Sequence, residues 1–259
     1  MTNLNVAFGV TGYGPLWAPP VESWIRAVAV ASRLFTITQV GKIGGAGITD
    51  RMYTHSAENI LASNFLDDPD YTHLFMTEMD MMIPPDTIQR LVEMDVPVAS
   101  GIYFLRGGTG QPCLFQKAFT SRGNPFPHTP VTIFPTDKPF RVDCPGLGCV
   151  LFKREVFERV KFPWFDLKES MYGSDMYFYT KCKDARVEVW ANPAILCDQI
   201  AYTIDSVEHY QKRLREDPGF AKSGFIIGAG APVGAIDRPV PEIPEIALGG
   251  THGRQPASH

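Results

Sequence analysis

The chain has 259 residues, 44% of them apolar and 12% aromatic, which supports a sizeable buried core and excludes global disorder. Its 24 Lys and Arg against 28 Asp and Glu leave a formal net charge of -4, which excludes general nucleic-acid binding through bulk charge. Cys113, Cys144, Cys149, Cys182 and Cys197 are odd in number and scattered without a CxxC pair, which argues against structural zinc or a disulfide framework and for reduced thiols in a cytoplasm.

The N-terminus has neither the basic start nor the apolar run of a signal peptide, and no uncharged apolar stretch approaches the ~18 residues of a membrane span. Asn5 to Val10 reads as a buried strand, broken by Thr11-Gly12-Tyr13-Gly14-Pro15. Pro19 and Pro20 open a helix with Val21, Trp24, Ile25 and Val28 on one face. Leu34 to Val40 is β-rich and ends at the glycines of 44–47. Those glycines lack GxGxxG spacing and follow the second strand rather than the first, so they are not a dinucleotide fingerprint. Asp50 can cap a second helix with Ala57, Ile60, Leu61 and Phe65 inward, and Thr72 to Thr77 is the next strand.

Pro84-Pro85-Asp86 starts a helix with Ile88, Leu91 and Val92 inward, followed by a strand over Val96 to Phe104. From Arg106 to Pro145 the chain is rich in proline and glycine, with scattered Arg106, Lys117, Arg122, Lys138 and Arg141. This reads as irregular structure with short strands, of the kind that shapes a site. Leu147 to Phe152 is a strand and Arg154 to Val160 a short helix. A helix from Ser174 leads to the strand Val187 to Ala191, and Asp205 to Glu216 is the last helix. The rhythm predicts an α/β fold with a mostly parallel sheet flanked by helices. It gives one domain over 1–231 and a Pro/Gly-rich extension over 232–259.

The sharpest local feature is an apolar strand ending in Glu78-Met79-Asp80. Ligands of open α/β sheets bind beyond the carboxyl ends of strands, and paired carboxylates there suit Mg²⁺ or Mn²⁺ completed by substrate phosphates. A strand-to-helix turn with solvated acids is the plain alternative. Asp175 falls in the first turn of a helix, where the dipole by itself favours an acid. His55, His73, His128 and His209 show no ligand spacing, and Met79, Met81, Met82 and Met94 read as core fillers.

Several blocks occur in an order that resembles nucleotide-sugar glycosyltransferases of the GT-A fold, closest to family-2-like enzymes common in bacteria and their phages. They are Thr72-His73-Leu74 with Glu78-Met79-Asp80, Pro84-Pro85-Asp86, and Val98 to Arg106 with Gly101 and Tyr103. Gly146-Leu147-Gly148 through Arg154 and Phe157, Pro163-Trp164-Phe165, Gly173-Ser174-Asp175 through Phe178, and Val189-Trp190 through Pro193 follow. The resemblance spans about residues 5 to 200, with Glu78 standing where Asp is usual and Ser174 where Glu is usual.

The resemblance implies a GT-A-like, Rossmann-related sheet and transfer of a sugar from a nucleotide-diphosphate donor, a UDP-sugar first among them. It implies Mn²⁺ or Mg²⁺ at Asp80 and Glu78, and Asp175 as the base that deprotonates the acceptor if the reaction inverts. Donor contacts fall to Thr11, Tyr13, Arg51, Glu78, Gly146, Gly148 and Trp164, where the plain alternatives are a surface ion pair of Arg51 with Asp50 or Glu58, strand-entry glycines at 146 and 148, and a core position for Trp164. Related enzymes carry a further His ligand after the strand near Pro193; here Asp198 and Gln199 occupy that stretch as candidate ligands. The acceptor stays open among glycan, lipid-linked sugar, protein and modified DNA base. Two alternatives stand beside this reading. A nucleotidyltransferase would normally carry a basic phosphate loop after the first strand, which Thr11 to Pro15 lacks. The other is a non-catalytic nucleotide-sugar or glycan-binding protein.

Overall fold

The computed structural model of the chain describes residues 4–39, 47–49, 52–107, 109–117, 128–167, 173–200, 204–220 and 225–227. The N-terminal half runs β1 (Asn5–Thr11), α1 (Ala18–Ala31), β2 (Thr36–Gln39), β3 (Ile48–Thr49), α2 (Thr54–Asp67), β4 (His73–Glu78), β5 (Met81–Met82), α3 (Thr87–Glu93) and β6 (Val98–Ile102). Short strands follow: β7 (Leu114–Lys117), β8 (His128–Ile133), β9 (Phe140–Arg141) and β10 (Cys144–Pro145). Then come β11 (Cys149–Lys153), α4 (Arg154–Arg159), α5 (Ser174–Asp184), β12 (Val189–Leu196), β13 (Asp198–Ile200), β14 (Ile204–Asp205), α6 (Val207–Glu216) and β15 (Phe225–Ile226).

The main sheet has the order β2-β1-β4-β11-β6-β12-β9, with β3 paired beside β1. Only β11 and β9 run against the other six strands, so the sheet is mostly parallel and helices flank it, as the strand–helix rhythm predicts. Alternation along each strand sends successive side chains to opposite faces. On β4, Phe75 packs with Trp24, Ala27 and Ala31 of α1 and Ile88 and Leu91 of α3. Leu74 and Met76 pack instead with Leu61 and Phe65 of α2, Phe157 of α4 and Phe178 of α5. Both faces are therefore covered, which is why these strands read as continuous apolar runs.

Two local differences from the sequence reading have plain causes. On α1 the inner face is Pro20, Trp24, Ala27 and Ala31, while Ile25 is 64% exposed; small alanines let the helix lie close to the sheet. On α2 the buried face includes Glu58 beside Ala57, Leu61, Ala62 and Phe65. The extension expected over 232–259 lies outside the described residues.

Arg154, a residue of the matched blocks, is structural. Its guanidinium donates to the carbonyls of Leu66 at 2.7 Å and Asp68 at 2.9 Å, and reaches those of Phe65 and Tyr71 at 3.4 Å. These are carbonyls at and just beyond the C-terminus of α2, where a cation is favoured.

Among the described residues, no helix is long and apolar enough to cross a membrane.

Candidate functional site

β1 and β4 are parallel neighbours with Thr11 paired to Glu78, so their last residues end side by side. The Met79 amide donates to the Thr11 carbonyl at 2.8 Å, which turns the chain immediately after Glu78. A Cβ on Gly12 would stand 2.3 Å from Met79 Cγ, so this crossing of two turns needs a glycine. Trp24 Nε1 donates to the Met81 carbonyl at 2.8 Å, and the Ile83 amide donates to Ser23 Oγ at 3.1 Å. These bonds fasten the acidic turn to α1.

Beyond these strand ends lies a cleft of about 970 Å³. Thr11, Tyr13, Glu78, Asp80, Asp175 and Gln199, all singled out in the sequence, line it. Tyr103, Arg106 and Trp17 line it too.

Asp80 is only 8% exposed. Its Oδ2 accepts from Arg106 Nη2 and, at 3.2 Å, from Gln199 Nε2. Its Oδ1 is buried with no hydrogen-bond partner. A buried carboxylate oxygen without a donor is costly unless something cationic or protic completes it. Gln199 arrives there because β13 pairs antiparallel with β5, setting Gln199 opposite Met81, and the Ile200 amide donates to the Asp80 carbonyl at 2.9 Å. Asp198, opposite Met82, is not among the residues that line the cleft.

Arg106 Nη2 also lies 3.9 Å from Glu78 Oε2. Burial is the main influence on Glu78 and, with the charge of Asp80, outweighs Arg106, pushing the carboxyl up to about 7. Asp175 is raised to about 6 by burial, opposed by the Met176 amide, which donates to its Oδ1 at 2.8 Å. Both carboxyls thus titrate near neutrality, as acid–base groups at functional sites often do.

The remaining sequence candidates lie elsewhere. Trp164 is 8% exposed and its Nε1 donates to the carbonyls of Phe157 at 3.1 Å and Val160 at 2.8 Å, so the ring is enclosed in the core with no face open to a sugar. Gly146 and Gly148 pack against Tyr103: a Cβ on Gly146 would stand 1.8 Å from the Tyr103 hydroxyl, and one on Gly148 3.0 Å from its ring. Their need for glycine is met by this buried tyrosine. Arg51 lies outside the described residues, as does Asp50.

Three contributors escaped the sequence reading as site residues. Arg106 belonged to a matched block but carried no role. Trp17, half exposed at the start of α1, adds a second aromatic to the rim held by Tyr13. Glu58 is buried at 1% exposure on the inner face of α2, and an acid within an apolar helix stripe was the available signal.

Among the described residues, no group of three or more His, Cys, Asp or Glu side chains stands ready to hold a metal ion. The oxygens near Asp80 would supply only part of a shell.

No protein-family model matches the chain, and no curated protein does. Among solved structures, A197 from STIV is similar in fold, with a TM-score of 0.52 at 16% identity, over 78% of this chain and 93% of that one. Looser overlays include GalNAc-T7 with UDP, GalNAc and Mn²⁺ (TM-score 0.49, 11% identity, 76% of this chain and 44% of that one). Another is Drosophila β1,4-galactosyltransferase 7 with manganese, UDP-Gal and xylobiose (0.40, 11%, 73% and 65%). At these identities the likeness concerns fold, and the chemistry rests on this chain's own residues.

Proposed function

We propose that the chain is a GT-A-like glycosyltransferase that moves a sugar from a nucleotide-diphosphate donor to an acceptor hydroxyl. The observation that carries this reading is the orphaned, buried Oδ1 of Asp80 in a cleft that also holds Arg106, Glu78, Gln199 and Asp175. A cleft of this size falls at the upper end of small-molecule sites, roughly 300–1,000 Å³, and accommodates an extended donor.

The donor set fits a hard divalent ion. Asp80 through Oδ1, with Glu78 and the Gln199 amide beside it, would hold Mg²⁺ or Mn²⁺, leaving most of the shell to phosphate oxygens and water. When bound, such an ion neutralises the charge that develops on the leaving diphosphate.

Arg106 provides a second, fixed positive charge at the same place, suited to bidentate contact with phosphate oxygens. Tyr13 and Trp17 at the rim offer ring faces to a nucleobase, with UDP as the first donor to try. Asp175, ionised above about pH 6, accepts the proton of the acceptor hydroxyl if the anomeric centre inverts. Thr11 borders the donor, and Arg51 and Asp198 remain outside this set.

Incubating the protein with a panel of nucleotide sugars and Mn²⁺, and resolving the products, tests the reading. Slow release of free sugar and nucleoside diphosphate supports it. Pyrophosphate release would instead indicate nucleotidyl transfer, and tight binding without turnover a binding protein.

A further inference from the structure

A second cavity of about 270 Å³ opens between the start of α2 and the N-terminus of α5. Glu78 and Asp175 belong to both this cavity and the main cleft, so whatever enters it meets the proposed base. Its wall includes Glu58 and Ser174, with Leu147, Leu167 and the 79% exposed Tyr53.

Glu58 is the unusual member. It is 1% exposed, it hydrogen-bonds Ser174, and its Oε2 is buried without a partner. An unsatisfied oxygen this deep costs free energy in the empty cavity and is satisfied by a ligand that brings a hydroxyl. Burial, with Asp175 and Glu78 nearby, favours the neutral carboxylic acid, which both donates and accepts. No Lys, Arg or His occurs among the described residues lining this cavity, while two further carboxyls do. A phosphorylated or polyanionic occupant would meet repulsion from Glu78 and Asp175. Tyr53 and the leucines offer apolar surface suited to the C–H face of a sugar ring.

We propose that the second cavity takes the reacting residue of an uncharged, polyhydroxylated acceptor, and that Glu58 determines acceptor specificity by hydrogen bonding a hydroxyl next to the one glycosylated. This rests on the glycosyl-transfer reading. In the reaction the Asp175 carboxylate takes the acceptor hydroxyl proton, and the acceptor oxygen bonds to the anomeric carbon. The bond from that carbon to the phosphate oxygen breaks, and its electron pair leaves with the diphosphate. Glu58 takes no part in the bond changes and positions the acceptor.

The test compares wild type, Glu58→Gln and Glu58→Leu on neutral methyl glycosides and disaccharides, the corresponding sugar phosphates, and a DNA duplex. UDP affinity by calorimetry reports an intact cleft in each variant. Wild type should transfer to neutral acceptors in preference to charged ones. Glu58→Gln, which keeps the shape and hydrogen-bonding atoms, should raise acceptor KM about threefold or less, and Glu58→Leu by roughly three- to tenfold or more, with kcat less affected. Preference for sugar phosphates or DNA, or an unchanged acceptor KM in a folded Glu58→Leu, would overturn the assignment while donor turnover still stood. If Glu58→Leu does not fold, Glu58→Ala takes its place: charged-over-neutral selectivity in wild type, or an unchanged acceptor KM in a folded Glu58→Ala, decides against it. Absence of any donor turnover by wild type would instead remove the glycosyl-transfer reading beneath it.

Discussion

Gly173 and Asp175 constrain each other. Gly173 has φ +132°, a conformation that side chains rarely adopt, and a Cβ there would stand 2.6 Å from Asp175 Oδ1. The glycine two residues before the acid is what lets α5 begin with that carboxylate turned into the cleft.

Gly173→Ala should therefore lower turnover more than it lowers UDP affinity, because it displaces Asp175 and leaves the β4 turn alone. Steady-state kinetics beside calorimetry checks this. A variant with full turnover would detach Asp175 from the chemistry.

Asp175 links activity to stability through pH. Its carboxyl is raised from 3.8 to about 6 in the fold, so the neutral form is the one that folding favours. That contribution is fully present below the unfolded value and is lost as pH rises through about 6. Asp175→Asn should consequently be more stable than wild type at pH 8, by roughly 1–3 kcal/mol, with the advantage disappearing near pH 4. Turnover of wild type should rise through about pH 6, and the Asn variant should lose about 10²–10⁴-fold. Denaturant unfolding at the two pH values, alongside rate profiles, measures both effects.

At Asp80 the expectation divides by atom. Asp80→Asn removes the carboxylate whose Oδ1 lacks a partner, and should abolish Mn²⁺-dependent strengthening of UDP binding. Arg106→Gln should weaken UDP binding with and without the ion, since its guanidinium acts on phosphate directly. Calorimetry with and without Mn²⁺ separates the two; equal loss in both variants and both conditions would contradict the division. Gln199→Ala should be milder than Asp80→Asn, because its amide is neutral.

Arg154→Ala should destabilise the protein without a specific effect on the cleft. It removes charge-assisted bonds to the carbonyls of Leu66 and Asp68, contacts worth about 1.5–3 kcal/mol each, partly recovered by water. A loss of about 2–4 kcal/mol in urea unfolding, with unchanged acceptor KM, is expected.

What the sequence determined by itself was local and periodic. Apolar runs over Asn5–Val10 and Thr72–Thr77, Pro-started helices and the Glu78-Met79-Asp80 turn follow from side-chain period and backbone preference, which act between near neighbours. The mostly parallel sheet follows as well, because alternating strands and helices admit few ways to cover both faces. Tertiary structure alone decided which of the singled-out residues meet. Gln199 reaches Asp80 across 119 positions because β13 pairs with β5, and Trp164 turns inward to donate to Phe157 and Val160. Gly146 lies so close to Tyr103 that a Cβ would stand 1.8 Å from the tyrosine hydroxyl. Glu58 shows the limit most clearly: one acid in a helix stripe looks like a surface charge out of phase. Only the packing of α2 against the N-terminus of α5 buries it beside Ser174 and leaves its second oxygen unsatisfied, because burial is a property of the whole assembled core.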